Sequence, residues 1–324
     1  MTIEDNVCIR NNISLHYKIW GNLNNPKILL ICGLSATIIN WDIERLIMPM
    51  IENNYCVITY DHRGIGKSSR LNLKSLSLPS LFLCYYFKWI LLTLSLFVCG
   101  FNVYFCLFFI FLSFINLIQE PFTLNHLAED ANLLLEKLNI NEYHIIGSSM
   151  GGLIAQIMCL KYPNKIKSLT LLSSLSSKQT LQTKPPLSTY LHFLKRKNSS
   201  PLQTIIDDFK FCDKSRQQTN LYIFQKAKDI INYNHYKTWI SIQCYQLLAI
   251  WKMDDITKLI KNISQKTLII SGDKDNMVPY QNSIILFNTI PNSTIYILKN
   301  FGHILGHYSN KDITNYIIKH IKSC

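Results

Sequence analysis

The stretch Gly147-Ser148-Ser149-Met150-Gly151-Gly152 decides the reading of the chain. Before it, an apolar run over 142–147 predicts a buried strand; after it, residues 151–161 predict a helix, closed by Tyr162-Pro163. Gly147-x-Ser149-x-Gly151 at a strand-to-helix junction is the pattern of a sharp turn that lifts a serine hydroxyl clear of the backbone. Such a serine sits in a strained conformation. Side chains two residues before and after it would collide, so glycine is needed at both places. Independent draws from this composition would give about 0.03 such triplets, so the match carries information. A glycine-rich turn that merely opens a helix is the plain alternative; the strand-to-helix context favours a nucleophile.

Working outward, the same alternation recurs. Lys27 to Cys32 is a short apolar run ending at Gly33, followed by an amphipathic stretch from Trp41 to Glu52. A second strand, Tyr55 to Tyr60, runs into Asp61-His62-Arg63-Gly64-Ile65-Gly66-Lys67-Ser68. Residues 125–139 have helical spacing, with Leu127, Ala131, Leu134, Leu135 and Leu138 on one face, and 167–172 reads as a strand. Strand signals then stop between 177 and 262, where three stretches read as short helices. They resume with a strand from Lys266 to Ser271, a helix over 280–289, a strand over 294–298 and a terminal helix over 310–322. Strand–helix–strand repetition predicts an α/β fold, a mostly parallel doubly wound sheet covered on both faces.

Two candidates each for an acid and a base lie downstream of Ser149, just past predicted strand ends, where ligand sites of open α/β sheets gather. Asp273 and Asp275 follow Gly272; His303 follows Gly302, and His307 lies a helical turn further on. The ordered set comprises Cys32-Gly33-Leu34, Trp41, the Asp61-to-Ser68 turn, Gly147 to Gly152, Gly272-x-x-Asp275-x-x-Val278-Pro279 and Gly302-His303. It resembles the α/β-hydrolase superfamily, in its esterase, lipase and enol-lactonase branch, with likeness to aclacinomycin methylesterase-type proteins. The resemblance implies Ser149 as nucleophile, His303 as general base and Asp275 as the acid that orients the imidazole. It also implies the backbone N–H groups of Leu34 and Met150 as an oxyanion hole, with Gly147 and Gly151 shaping the turn. The implied activity is hydrolysis of carboxylic esters, lipid-derived or apolar ones among them, with a small-molecule ester as partner and no metal or organic cofactor. One departure stands out: many relatives carry His-Gly where this chain has Cys32-Gly33. The alternative from a different class is a non-catalytic protein of the same fold that binds a ligand or associates with a membrane.

Composition bounds the rest. With 324 residues, 48 % apolar and 16 % charged, the chain is too apolar to be disordered and too long for a disulfide-stapled miniprotein. It carries 33 Lys and Arg against 20 Asp and Glu, and 14 of the basic residues, against six acidic ones, fall in 177–262. No basic face interleaved with aromatics is visible, so nucleic acid is not an expected partner. The ten cysteines show no paired or zinc-like spacing, and the N-terminus has no apolar core of a signal peptide, so reduced thiols on the cytoplasmic side are expected.

Residues 75–119 are the anomaly. They hold one charge, Lys88, and Trp89 to Leu112 gives 24 uncharged residues, 16 of them Leu, Ile, Val or Phe. As a helix this is about 36 Å, enough for a transmembrane helix. A single span would, however, put the two halves of one sheet on opposite sides of a membrane. Three readings of 76–118 stay open: a membrane-dipping hairpin, a translated segment foreign to the working protein, and a buried lid. The expected organisation is a hydrolase core over 1–74, the apolar insertion over 75–119, core with the serine turn over 120–176, a helical lid over 177–262 and core again over 263–324.

Overall fold

Along β3 (Lys27–Ile31) the side chains alternate between two buried layers, Ile28 and Leu30 in one and Leu29 and Ile31 in the other. The same period of two places Val57 opposite Ile58 on β4 (Cys56–Tyr60), Ile145 opposite Ile146 on β5 (Tyr143–Ser148), and Leu171 opposite Leu172 on β6 (Ile166–Leu172). A strand apolar on both faces must be covered on both, which is why these runs pair in parallel at the centre of the sheet. The computed structural model describes residues 2–10, 12–71, 121–176, 183–194, 200–213, 219–234, 236–304 and 311–324.

With β1 (Thr2–Arg10), β2 (Ile13–Trp20), β7 (Lys266–Gly272) and β8 (Ser293–Leu298), the described residues form a sheet of eight strands in the order β1-β2-β4-β3-β5-β6-β7-β8. β1 and β2 pair antiparallel, as do β2 and β4; every other pair is parallel. This is the expected mostly parallel α/β sheet, with one addition: the sequence reading placed no strand before Lys27. The β1–β2 hairpin escapes it because β1 is largely exposed and carries adjacent charges, Glu4 and Asp5, in place of an apolar run. Its Glu4 carboxylate meets Lys18 and Lys67 at 3.2 and 2.6 Å.

One face of the sheet is covered by α2 (Leu124–Lys137) and α3 (Met150–Lys161), through Leu127, Ala131, Leu134, Leu153 and Ile154. The other is covered by Leu46 and Met50, around α1 (Met48–Glu52), and by Ile313, Ile317 and Ile321 of the last helix (Lys311–Lys322). The amphipathic stretch from Trp41 is a π-helical turn, Ile43–Ile47, running into α1, with Asp42 accepting from the Arg45 N–H at 2.8 Å. Strand and helix ends elsewhere fall within one or two residues of their expected positions.

Between 177 and 262 the described elements are all helical: α4 (Leu187–Leu194), α5 (Pro201–Cys212), α6 (Asn220–Tyr233) and α7 (Tyr236–Lys252), then a short 3-10 turn at Ile260–Asn262. α7 is one helix more than the sequence reading identified. Its run Gln246-Leu247-Leu248-Ala249-Ile250-Trp251 lacks the polar face that marks an amphipathic helix. The apolar insertion over 75–119 lies outside the described residues; among those described, no helix is long and apolar enough to cross a membrane.

Candidate active site

Ser149 sits between β5 and α3 at φ +55°, ψ −117°, a conformation that L-residues rarely adopt. Its surroundings over-determine it. The Ser149 N–H donates to Leu172 O at 2.8 Å, and its carbonyl accepts from Gly152 N–H at 2.9 Å and from the Ser174 hydroxyl at 2.9 Å. A Cβ on Gly147 would collide with the Gly151 carbonyl, and one on Gly151 with the Ile31 carbonyl of the neighbouring strand. Both glycines are therefore required by close backbone approach at a strained turn.

His303 follows β8 on a loop held by its own N–H, which donates to Cys212 O at the end of α5 at 2.9 Å. Its Nε2 lies 3.1 Å from Ser149 Oγ and its Nδ1 2.8 Å from Asp275 Oδ2. An ionised carboxylate only accepts, so Nδ1 carries the proton and Nε2 is left to accept from the serine hydroxyl. The other oxygen, Asp275 Oδ1, takes the N–H groups of Met277 and Val278, both at 2.8 Å. The Asp275 side chain is fully buried. Asp273 does something different: its carboxylate accepts from Asn300 N–H at 2.6 Å, ordering the loop that leads to His303. His307 lies outside the described residues.

Leu34 sits in a turn closed by Ala36 N–H donating to Gly33 O at 3.2 Å. The turn packs directly on the serine, since a Cβ on Gly33 would lie 3.2 Å from Ser149 Cβ. Met150 is the first residue of α3, where a backbone N–H has no intrahelical partner. Among the described residues, neither Leu34 N–H nor Met150 N–H donates to a protein acceptor.

The turn after β4 supports this arrangement, and the partners that make it do so were not legible in the sequence. His62 Nε2–H donates to Cys32 O at 3.1 Å, fixing the strand end from which the Gly33-Leu34 turn springs. Asp61, fully buried, accepts from Ile38 N–H at 2.8 Å, Lys67 N–H at 3.0 Å and the Tyr233 hydroxyl of α6 at 2.9 Å. Burial pushes its carboxyl up to about 6 in spite of these donors. Arg63 pairs with Asp130 of α2 in the interior. The Cys32 thiol is raised well above its ordinary range, first by burial and then by the charge of Asp61, so it is not a nucleophile at neutral pH. Among the described residues, no group of three or more His, Cys, Asp or Glu side chains could hold a metal ion.

The family model for the α/β hydrolase fold matches residues 26–308. The chain belongs to the α/β-hydrolase fold family. The chain is 25 % identical over 173 residues to a 2-hydroxy-6-oxo-6-phenylhexa-2,4-dienoate hydrolase of Burkholderia cepacia, a match covering 52 % of this chain and 59 % of that one. It is 22 % identical over 152 residues to the rhodomycin D methylesterase of Streptomyces peucetius, covering 47 % and 36 %. Among solved structures, a 2-hydroxy-6-oxo-6-phenylhexa-2,4-dienoate hydrolase from Rhodococcus sp. superposes with a TM-score of 0.70 at 15 % identity, over 99 % of both chains. The sequence matches thus span less than two thirds of these curated relatives, and the structural likeness concerns the fold.

Proposed function

We propose that this α/β hydrolase cleaves carboxylic esters through Ser149, His303 and Asp275. The observation that carries the proposal is the unbroken line of hydrogen bonds from Asp275 Oδ2 through the imidazole to Ser149 Oγ, at 2.8 and 3.1 Å. His303 Nε2 takes the hydroxyl proton as Ser149 Oγ attacks the ester carbonyl carbon. Asp275 holds the ring in the tautomer that leaves Nε2 free to accept, and its negative charge favours the imidazolium that forms. The carbonyl oxygen, gaining charge, moves onto the N–H groups of Leu34 and Met150, which have no protein acceptor among the described residues. The imidazolium returns its proton to the leaving alkoxide, and the acid is then released from the acyl-serine by water activated in the same way. Leu34, Met277, whose N–H donates to Asp275, and Ile304, next to His303, are only partly buried, which suits an apolar acyl group.

The test is a fluorophosphonate probe followed by mass-spectrometric mapping, with turnover of a series of 4-nitrophenyl esters. A single adduct at Ser149, and a loss of roughly 10⁴–10⁶ in turnover for Ser149→Ala, are expected. An adduct at another serine, or binding of ester without turnover, would overturn the proposal in favour of a ligand-binding protein on the same fold.

A further inference from the structure

We propose that Gln246 of α7, with Gln243 one helical turn before it, is a positioning residue for the oxyanion donor Leu34. The inference rests on the ester-hydrolase reading and assigns to one helix between 177 and 262 a part in the chemistry.

The turn that carries Leu34 spans Gly33 to Ala36, and its third residue, Ser35, has φ +56° while Leu34 does not have a positive φ. A positive φ at the third position is the type II pattern, in which glycine is the ordinary occupant. A serine there is strained and gains by relaxing to the type I form, in which the peptide between residues two and three is flipped. That peptide joins Leu34 to Ser35. Its N–H donates to Gln246 Oε1 at 2.7 Å, and the Ser35 hydroxyl oxygen accepts from Gln243 Nε2 at 3.1 Å. Flipping the peptide would break the first of these bonds and leave a buried amide oxygen without its donor. The two glutamines, three residues apart on one face of α7, hold Ser35 in the left-handed form. With it they hold the turn that carries Leu34, the proposed oxyanion donor.

A second observation separates this role from packing. Gln246 is completely buried, and its Nε2 has no acceptor among the described residues. A buried donor left unsatisfied destabilises a fold, and an apolar residue of the same shape would be the more stable choice. Among the described residues the one side-chain hydrogen bond that Gln246 makes is the bond to Ser35, so the side chain serves the turn at the expense of the core. α7 reaches this position because Ile242 packs on the Asp61-to-Ser68 turn, where a Cβ on Gly64 would collide with it.

The experiment compares Gln246→Met, close in shape and without the acceptor, with the unaltered protein on 4-nitrophenyl acetate. The expected result is a fall in kcat of roughly 10–100-fold with KM within about threefold. Phenylboronic acid, which forms a tetrahedral adduct on the serine, should lose affinity by the same factor, and the thermal midpoint should be unchanged or higher. Glycine takes a positive φ without strain, so Ser35→Gly in the Gln246→Met background should recover at least about threefold in kcat. An anchor for the helix alone would lower the thermal midpoint and leave kcat and boronate affinity of the folded protein untouched, and that outcome overturns the inference. Should Gln246→Met not fold, Gln243→Met is judged by the same two readouts, with a three- to tenfold loss expected and an unchanged kcat overturning it. An unaltered protein with no turnover and no adduct at Ser149 would overturn the ester-hydrolase reading and this inference together; a normal kcat in the folded variant of an active enzyme overturns this inference alone.

Discussion

Asp61 and Asp275 are the same residue type in the same kind of place, and they differ in what their last oxygen touches. Each lies just past the C-terminal end of a parallel strand, each is buried, and each accepts two backbone N–H groups of its own neighbourhood. Asp275 spends one oxygen on the two amides and gives the other to an imidazole. Asp61 spreads its amides over both oxygens and adds a phenol from α6. An imidazole can change its charge and pass on a proton at neutral pH; a phenol cannot. The third partner separates these two buried carboxylates: it ties Asp61 to α6 and, on the proposed mechanism, brings Asp275 into the reaction.

The contrast breaks first at the level of activity. Asp275→Asn should lower turnover by about 10⁴, because an amide in place of the carboxylate stabilises the wrong tautomer. Asp61→Asn should change kcat of the folded enzyme by less than about tenfold. Similar losses of kcat in the two variants, measured on one 4-nitrophenyl ester, would erase the distinction.

Stability sharpens it. In Asp61→Asn the amide NH₂ must face one of three donors, which should cost about 1–2 kcal/mol at pH 7 by urea unfolding. This cost depends on pH with a defined sign. The Asp61 carboxyl is raised from 3.8 to about 6 in the folded protein, so the fold binds that proton more tightly than the unfolded chain does. The stabilisation is fully present below about pH 4 and is lost as pH rises through about 6. The stability gap between the unaltered protein and Asp61→Asn should therefore be widest near pH 4 and narrow toward pH 7 by on the order of 3 kcal/mol. A gap that widens with rising pH would mean that the three donors outweigh burial and hold the carboxyl below its ordinary value.

The smallest effect isolates the phenol. Tyr233→Phe removes one bond to Asp61 and leaves both amides in place, so a loss of about 1.5 kcal/mol is expected, with kcat unchanged within a factor of about two. A larger fall in kcat than in stability would show that α6 reaches the chemistry through Asp61.

The sequence made the centre of the fold legible and its margins much less so. β3 to β7 send apolar residues into both buried layers, and such a run can be little else than a central strand. The first strand of the β1–β2 hairpin is largely exposed, and its Glu4 meets Lys18 within the hairpin and Lys67 far along the chain. The Asp61-to-Ser68 turn was visible as a motif, yet the Tyr233 that completes Asp61 lies 172 residues away. The Gly147-to-Gly152 turn could be read because its glycines are required by local crowding, which leaves a local signature. Gln243 and Gln246 left none: they are polar residues in an apolar helix, and their meaning comes from a turn more than 200 residues earlier.

The line from Ser149 to His303 joins residues 154 positions apart, and the base lies on a loop after the last strand of the sheet. During synthesis the strained serine turn, with β5 and α3 complete, leaves the ribosome well before its imidazole does. Folding of such long-range parallel sheets is slow, because ends far apart in the chain must meet before their contacts form. A nascent or truncated chain therefore carries a serine hydroxyl of ordinary reactivity. On the proposed mechanism, the base joins the serine only when β8 and the loop after it have docked, so a chain truncated before His303 should carry the serine turn without turnover.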